Sequence, residues 1–284
     1  MWQRVGLIGA GTMGMSIATD LILHGIDVTL IDIEEAILER AKKEIVQQVR
    51  FAPMLKKDAP RLRQEQVLER MALCTHLEAV QECELIIESV PESWSIKEAV
   101  YRELDRICAE ETCFAVNTSC LSITRIGGVV RRPARVIGTH FMNPVFLKDT
   151  VEVIRGYHTS EETIAQIRQF LAQLHKEAIV VEDMPGFVSN RISHLYMNEA
   201  IFVVQDQVAT PDQVDALFKK CFGHAMGPLE TADLIGLDTV LDSLDVLYES
   251  YHDSRFRAAP LLRKMVAAGL RGRKSGQGFY HYQN

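Results

Sequence analysis

The spacing of apolar positions divides the chain into two parts of different character. Short apolar runs alternate with longer stretches of helical period as far as residue 181. The runs predict strands over residues 5–8, 28–31, 72–75, 85–89, 114–116, 136–139, 151–154 and 178–181. The stretches between them predict helices over 12–24, 35–55, 64–70, 96–110 and 161–175. Such alternation implies an α/β fold built on a mostly parallel, doubly wound sheet with an antiparallel end. The helices at 35–55 and 64–70, punctuated by Pro53 and Pro60, are long for a simple crossover and read as a helical insertion.

Beyond Asp183-Met184-Pro185-Gly186 only helical patterns occur, over 187–207, 211–221, 228–234, 239–251 and 260–269. Pro211 and Pro228 sit where first helical turns accept proline. The expected domains are therefore residues 1–184 and an all-helical 185–284. Ile192, Leu195, Tyr196, Ala200 and Val203 follow one helical stripe. That stripe packs either within its own domain or against a second copy. Two-fold dimers are the commonest oligomers, so a homodimer is the expectation.

The first strand runs straight into Gly9, Gly11 and Gly14 in G-x-G-x-x-G spacing, and a helix follows. In this context Gly9 makes a tight turn, Gly11 lets the backbone approach a pyrophosphate, and Gly14 lets helix and strand pack closely. Gly9, Gly11, Thr12, Met13 and Gly14 thus form a candidate phosphate cradle at a helix N-terminus. The second strand ends in Asp32, where such folds hydrogen-bond the adenosine ribose 2′-hydroxyl. A carboxylate there repels a 2′-phosphate, and Ile33 and Glu34 bring no positive charge, so NAD is the expected cofactor.

Composition narrows the classes. A chain of 284 residues suits two domains, and 47% apolar with 24% charged residues is ordinary for a soluble globular protein. A net charge of −7 lacks the basic footprint of a nucleic-acid partner. No apolar run approaches the roughly 20 residues that span a bilayer, and the first strand begins too early for a signal peptide. The six cysteines show no paired ligand spacing, so disulfides and a structural metal are not expected. A reducing, cytoplasmic setting is the expectation.

A dinucleotide site implies hydride transfer, and removing hydride from a carbinol needs a base for the hydroxyl proton. His140 follows the strand at 136–139 and so falls on the ligand-binding edge of an open α/β sheet. Either it is that base or it is a packed histidine. Glu152 on the next strand either holds the other ring nitrogen, as an orienting acid does, or is an outward residue of an alternating strand. Asn117-Thr118-Ser119 follows another strand end. These are either substrate-binding groups or ordinary turn formers. Asn190 opens the long helix after the domain junction, facing either the cleft or solvent.

Taken together these residues resemble the 3-hydroxyacyl-CoA dehydrogenase family, bacterial 3-hydroxybutyryl-CoA dehydrogenases included. The resemblance covers nearly the whole chain. It is carried by the glycine motif, Val90-Pro91-Glu92, Asn117-Thr118-Ser119 and the run from Gly138 to Pro144. It continues through Asp183 to Arg191, Met226 to Glu230 and the tail Gly272 to Tyr280. The resemblance implies a Rossmann-type first domain and a helical second domain for substrate and dimerisation. It implies His140 as general base, Glu152 as its orienting partner, and Ser119 with Asn190 on the reacting oxygen. Glu92, Lys97, Asn117, Asn143 and Lys274 match family positions lining the cofactor or active site. The implied reaction is reversible NAD-linked oxidation of an (S)-3-hydroxyacyl thioester.

The chain also departs from the family pattern. Lys148-Asp149-Thr150 stands where a Met-Lys-Leu stretch is usual, and Cys120 replaces a second serine. Gln48 and Leu55 occupy positions where relatives place Ser and Lys against coenzyme A. Lys56, Lys57, Arg61 and Arg63 could still meet a 3′-phosphate. These changes leave the redox chemistry intact and raise a small polar acyl group on an acyl carrier protein as the alternative substrate. Two rivals are a lambda-crystallin-like L-gulonate 3-dehydrogenase and a non-enzymatic dinucleotide-binding protein.

Overall fold

The computed structural model describes residues 2–282. Two compact units emerge, Met1–Met184 and Pro185–Asn284. The first opens with β1 (Arg4–Ile8), α1 (Thr12–Leu23), β2 (Asp27–Ile31), α2 (Glu35–Leu55), α3 (Gln64–Glu69) and β3 (Met71–Cys74). It continues with β4 (Leu85–Glu88), α4 (Trp94–Ile107), β5 (Cys113–Val116), α5 (Ile123–Gly127), β6 (Val136–His140), β7 (Thr150–Arg155), α6 (Glu161–Gln173) and β8 (Glu177–Glu182). The strands form one sheet in the order β3-β2-β1-β4-β5-β6-β7-β8. Every neighbouring pair is parallel except β6 and β7. The antiparallel element expected at the sheet's end is this one reversal, after which β8 resumes parallel to β7.

Burial explains why the strands read as they do. All residues of β4 and β5 are buried, because helices cover both sheet faces, and their sequences are apolar throughout except for Glu88 at the end of β4. The outermost strand β8 alternates between exposed and half-buried residues instead. Leu38, Ala41, Ile45, Val49 and Ala52 recur at three- and four-residue steps along α2 and pack into the same core as Ile17 and Leu21 of α1. The short α5 had no sequence counterpart, since five residues are too few to carry a helical period. Strand order reverses between β1 and β4, so a crevice opens beyond their C-terminal ends.

The second unit comprises α7 (Ser189–Gln205), α8 (Pro211–Phe222), α9 (Pro228–Ile235), α10 (Leu237–Tyr251) and α11 (Pro260–Ala267). Met197, Ile201, Leu229, Leu237, Val240, Leu244 and Leu262 share its core. The buried face of α7 is His194, Met197, Asn198, Ala200 and Ile201, rotated from the stripe expected from sequence. Of that stripe only Ala200 is buried, while Ile192 is exposed.

Two buried carboxylates organise the second unit. Asp215 accepts the backbone N–H of Leu229 at 2.9 Å and of Glu230 at 2.8 Å, capping α9. Asp233 accepts the N–H groups of Phe279 and Tyr280 and the Tyr282 hydroxyl, each at 3.0 Å, and so pins the tail. A Cβ on Gly227 would lie 2.2 Å from Asp215 Cγ, and one on Gly278 would lie 2.0 Å from Asp233 Oδ1. The glycines in both sequence motifs leave room for these acids.

Candidate active site

A cavity of about 680 Å³ occupies the crevice beyond β1 and β4. Gly9, Gly11, Thr12 and Met13 line one side of it, and Asp32, Ile33, Ile37 and Arg40 line another. Glu92, Asn117, Thr118, Ser119 and Phe141 are among the residues lining the rest. The glycine loop is shaped for close approach. Gly9 has φ +99°, and a Cβ there would meet the Ser89 carbonyl oxygen at 2.5 Å. A Cβ on Gly14 would lie 1.9 Å from the Gly9 carbonyl oxygen, whereas Gly11 faces open space. Gly11 is also the N-cap of α1 and supplies no side-chain cap. The first-turn N–H groups therefore remain for an anion. Asp32 accepts the Ala10 N–H at 2.8 Å, which ties the loop to the end of β2. A dinucleotide fits this set of groups, with pyrophosphate at the helix end and ribose at Asp32.

The β6–β7 reversal builds the chemical centre. His140 and Glu152 are register partners, so their side chains share one face of the sheet. Glu152 Oε2 lies 2.9 Å from His140 Nδ1, and both residues are buried. A carboxylate has no proton to give, so Nδ1–H is the donor and Nε2 is left as the basic nitrogen. Ser119 Oγ stands 3.2 Å from Nε2 and donates to it. Ser119 follows β5, which places it on the same strand edge as His140.

Glu92 organises the loop that carries Ser119. Its Oε1 accepts the backbone N–H groups of Ser119 and Cys120, each at 3.0 Å, together with the Thr118 hydroxyl. Asn117 donates to Ser89 Oγ at 3.0 Å and accepts the Phe141 N–H at 3.3 Å, bridging the ends of β4 and β6. Lys97 is fully buried and does not line the cavity; its ammonium lies 2.7 Å from Glu88. Asn143 is exposed and lies outside the cavity lining. In the second unit, Asn190 sits in the first turn of α7, where its carbonyl accepts His194 Nδ1–H at 2.9 Å. Lys274 there pairs with Asp238 at 2.5 Å.

A family model described as 3-hydroxyacyl-CoA dehydrogenase, NAD binding domain, matches residues 4–184. Its companion, described as 3-hydroxyacyl-CoA dehydrogenase, C-terminal domain, matches residues 186–282. The chain belongs to the 3-hydroxyacyl-CoA dehydrogenase family. It is 41% identical over 285 residues to a probable 3-hydroxybutyryl-CoA dehydrogenase of Bacillus subtilis, covering 99% of this chain and 98% of that one. It is 43% identical over 282 residues to a protein of the same description from Deinococcus radiodurans, covering 99% and 100%. The solved (S)-3-hydroxybutyryl-CoA dehydrogenase of Ralstonia eutropha superposes with TM-score 0.94 at 37% identity over the whole of both chains.

This dehydrogenase is an NAD-dependent oxidoreductase, and its cavity and the layer beneath it hold groups that sequence reading passed over. Arg40 lies on the exposed side of α2 near Asp32, a cation at the end where none was expected. The only signal for it was helical spacing from Ile37. Glu88 closes β4 as a lone acid after Leu85-Ile86-Ile87, and that signal was legible in the pattern. Burial pushes its carboxyl upward from the usual range, against the pull of the Lys97 ammonium.

No helix among the described residues is long and apolar enough to cross a membrane. Cys74, Cys83, Cys108, Cys113 and Cys221 are free thiols. Burial pushes the Cys108 thiol up to about 11 and Cys113 to about 12, so both stay protonated near neutral pH.

Proposed function

We propose that the protein interconverts short-chain (S)-3-hydroxyacyl-CoA and 3-oxoacyl-CoA, with His140 as the acid–base residue. The observation that carries this reading is the buried Glu152–His140 pair with Ser119 on its open nitrogen, at the cavity end of β6. Bound NAD+ supplies the hydride acceptor. Gly9, Gly11, Thr12 and Met13 hold its pyrophosphate, Gly14 lets the helix pack close behind them, and Asp32 holds its ribose. Glu92, Asn117 and Ser119 form the other end of the cavity.

His140 Nε2 takes the hydroxyl proton as C3 is oxidised. Glu152 keeps Nδ1–H oriented and stabilises the imidazolium that results. Ser119 hydrogen-bonds the reacting oxygen, and the family resemblance implies the same role for Asn190. Lys97 acts from beneath the cavity, and the family resemblance implies active-site roles for Asn143 and Lys274.

Coenzyme A is favoured over a carrier protein by the names of the full-length relatives, and the acid that raised the carrier alternative is paired. Asp149, the acid that departs from the family pattern, lies 3.4 Å from Lys56 Nζ, so its charge is balanced locally. The full-length relatives described as 3-hydroxybutyryl-CoA dehydrogenases point to a four-carbon acyl group. Acetoacetyl-CoA with NADH is the deciding assay, run beside an acetoacetyl carrier protein and L-gulonate. The expected result is turnover on the order of 10 s⁻¹ with the CoA ester. Preference for the carrier-bound or sugar-acid substrate, or inertness towards all three, would replace this reading.

A homodimer in the cytoplasm completes the proposal. Free cysteines suit a reducing compartment. Ile192 is 63% exposed on α7, leaving apolar surface for a second copy. Light scattering on the eluting protein should return twice the monomer mass, and a monomer would remove this part.

A further inference from the structure

Beneath the cavity lies a charge pair that the reaction itself does not use. Glu88 ends β4 and Lys97 lies in the first turn of α4, both with no exposed side-chain surface. Ion pairs buried this deeply are a poor source of net stability, since apolar residues of similar volume often serve as well or better. What distinguishes this pair is what it touches. Lys97 Nζ donates to Glu88 Oε1 at 2.7 Å, to Oε2 at 2.8 Å and to the Asn117 carbonyl at 3.1 Å. The same ammonium lies 3.7 Å from Glu92 Oε2. Glu88 Oε1 also accepts the Val90 N–H at 2.7 Å, which fixes the chain leading to Glu92.

The loop from Asn117 to Cys120 is therefore held at both ends by groups that converge on one ammonium. Lys97 grips its first carbonyl directly. It also supplies the countercharge for Glu92, whose other oxygen accepts the Ser119 and Cys120 N–H groups. Ser119 Oγ, carried on that loop, stands 3.2 Å from His140 Nε2. We infer that Glu88 and Lys97 are positioning residues that set where Ser119 presents its hydroxyl to His140 and the reacting oxygen. This inference rests on the dehydrogenase reading given above.

A double-mutant cycle in the full-length enzyme tests it, with acetoacetyl-CoA and NADH as substrates. Lys97→Met should lower kcat about 10- to 100-fold, the scale of a small misplacement of a reacting group. KM for the thioester and Kd for NADH, from fluorescence titration, should change less than about threefold. In a Ser119→Ala background the same substitution should cost less than about threefold, because no hydroxyl remains to be misplaced. Glu88→Gln keeps the side-chain volume and is carried through the same cycle, so the test survives if Lys97→Met does not fold. A kcat within about twofold of wild type overturns the inference. So does an undiminished loss in the Ser119→Ala background, or a loss tracked by weaker NADH binding. Wild-type enzyme inert towards acetoacetyl-CoA defeats the dehydrogenase reading itself, whereas active wild type with indifferent variants defeats only the positioning role.

Discussion

His140→Ala lowers kcat for thioester oxidation by about 10²- to 10⁴-fold, the usual worth of general-base help. NADH binding is expected to stay within about threefold of wild type, less than 0.7 kcal/mol. The separation follows from position. His140 lies at the end of β6, while the phosphate cradle and Asp32 belong to β1, α1 and β2. His140→Gln should fail almost as badly, since an amide fills the space and hydrogen-bonds Glu152 but does not take up a proton. Glu152→Gln leaves a base that is less well oriented, so a smaller loss is expected there. Stopped-flow and steady-state rates with NADH titrations check all three. A His140→Ala enzyme working at a near wild-type rate would falsify the assignment.

The second large effect concerns cofactor choice. Asp32→Ala should lower kcat/KM for NADH about 10- to 100-fold, the equivalent of losing a charge-assisted hydrogen bond of about 1.5–3 kcal/mol. Part of that loss is indirect, because Asp32 Oδ2 also holds the Ala10 N–H at the glycine turn. Wild-type enzyme should strongly prefer NADH to NADPH, since a 2′-phosphate and a carboxylate repel. In the variant that preference should shrink to within about tenfold, because Arg40 lines the same end of the cavity and attracts a phosphate. Rates with both cofactors decide the matter. An Asp32→Ala enzyme that still rejects NADPH as firmly as wild type removes Asp32 as the discriminating group.

The legible parts of this molecule are those in which one local pattern has one physical reading. Strands buried on both faces read as continuous apolar runs, and α2 carried its core face at helical spacing, so its ends agreed to the residue. The glycine turn and Asp32 were legible because strand, turn, helix and acid arrive in a fixed order. By contrast, the face of α7 was misjudged. Its buried set contains His194 and Asn198, polar residues that an apolar count passes over. Asn198 donates to the Arg257 carbonyl at 3.0 Å and accepts the Ala259 N–H at 2.9 Å, partners 59 and 61 positions away.

The resemblance implied a place for Lys97 along the cofactor or active site, whereas its position beneath the cavity was not legible. Whether a lysine reaches a ligand or a buried acid depends on which residue of the preceding strand faces it. Strand order raised a His140–Glu152 contact as one of two alternatives and the resemblance implied it, yet the contact depends on a strand reversal that periodicity does not encode.

That reversal carries a further consequence. Imidazole and acid stand on the same rung of the ladder, with strands on either side of the pair, so shear or twist of the sheet carries them together. Residues 141–149, which join them through the sequence, are relieved of any duty to set their separation. Substitutions in that connection, Lys148 and Asp149 among them, can accumulate without detuning the proton relay. Substrate preference can thus drift while the base stays where it is.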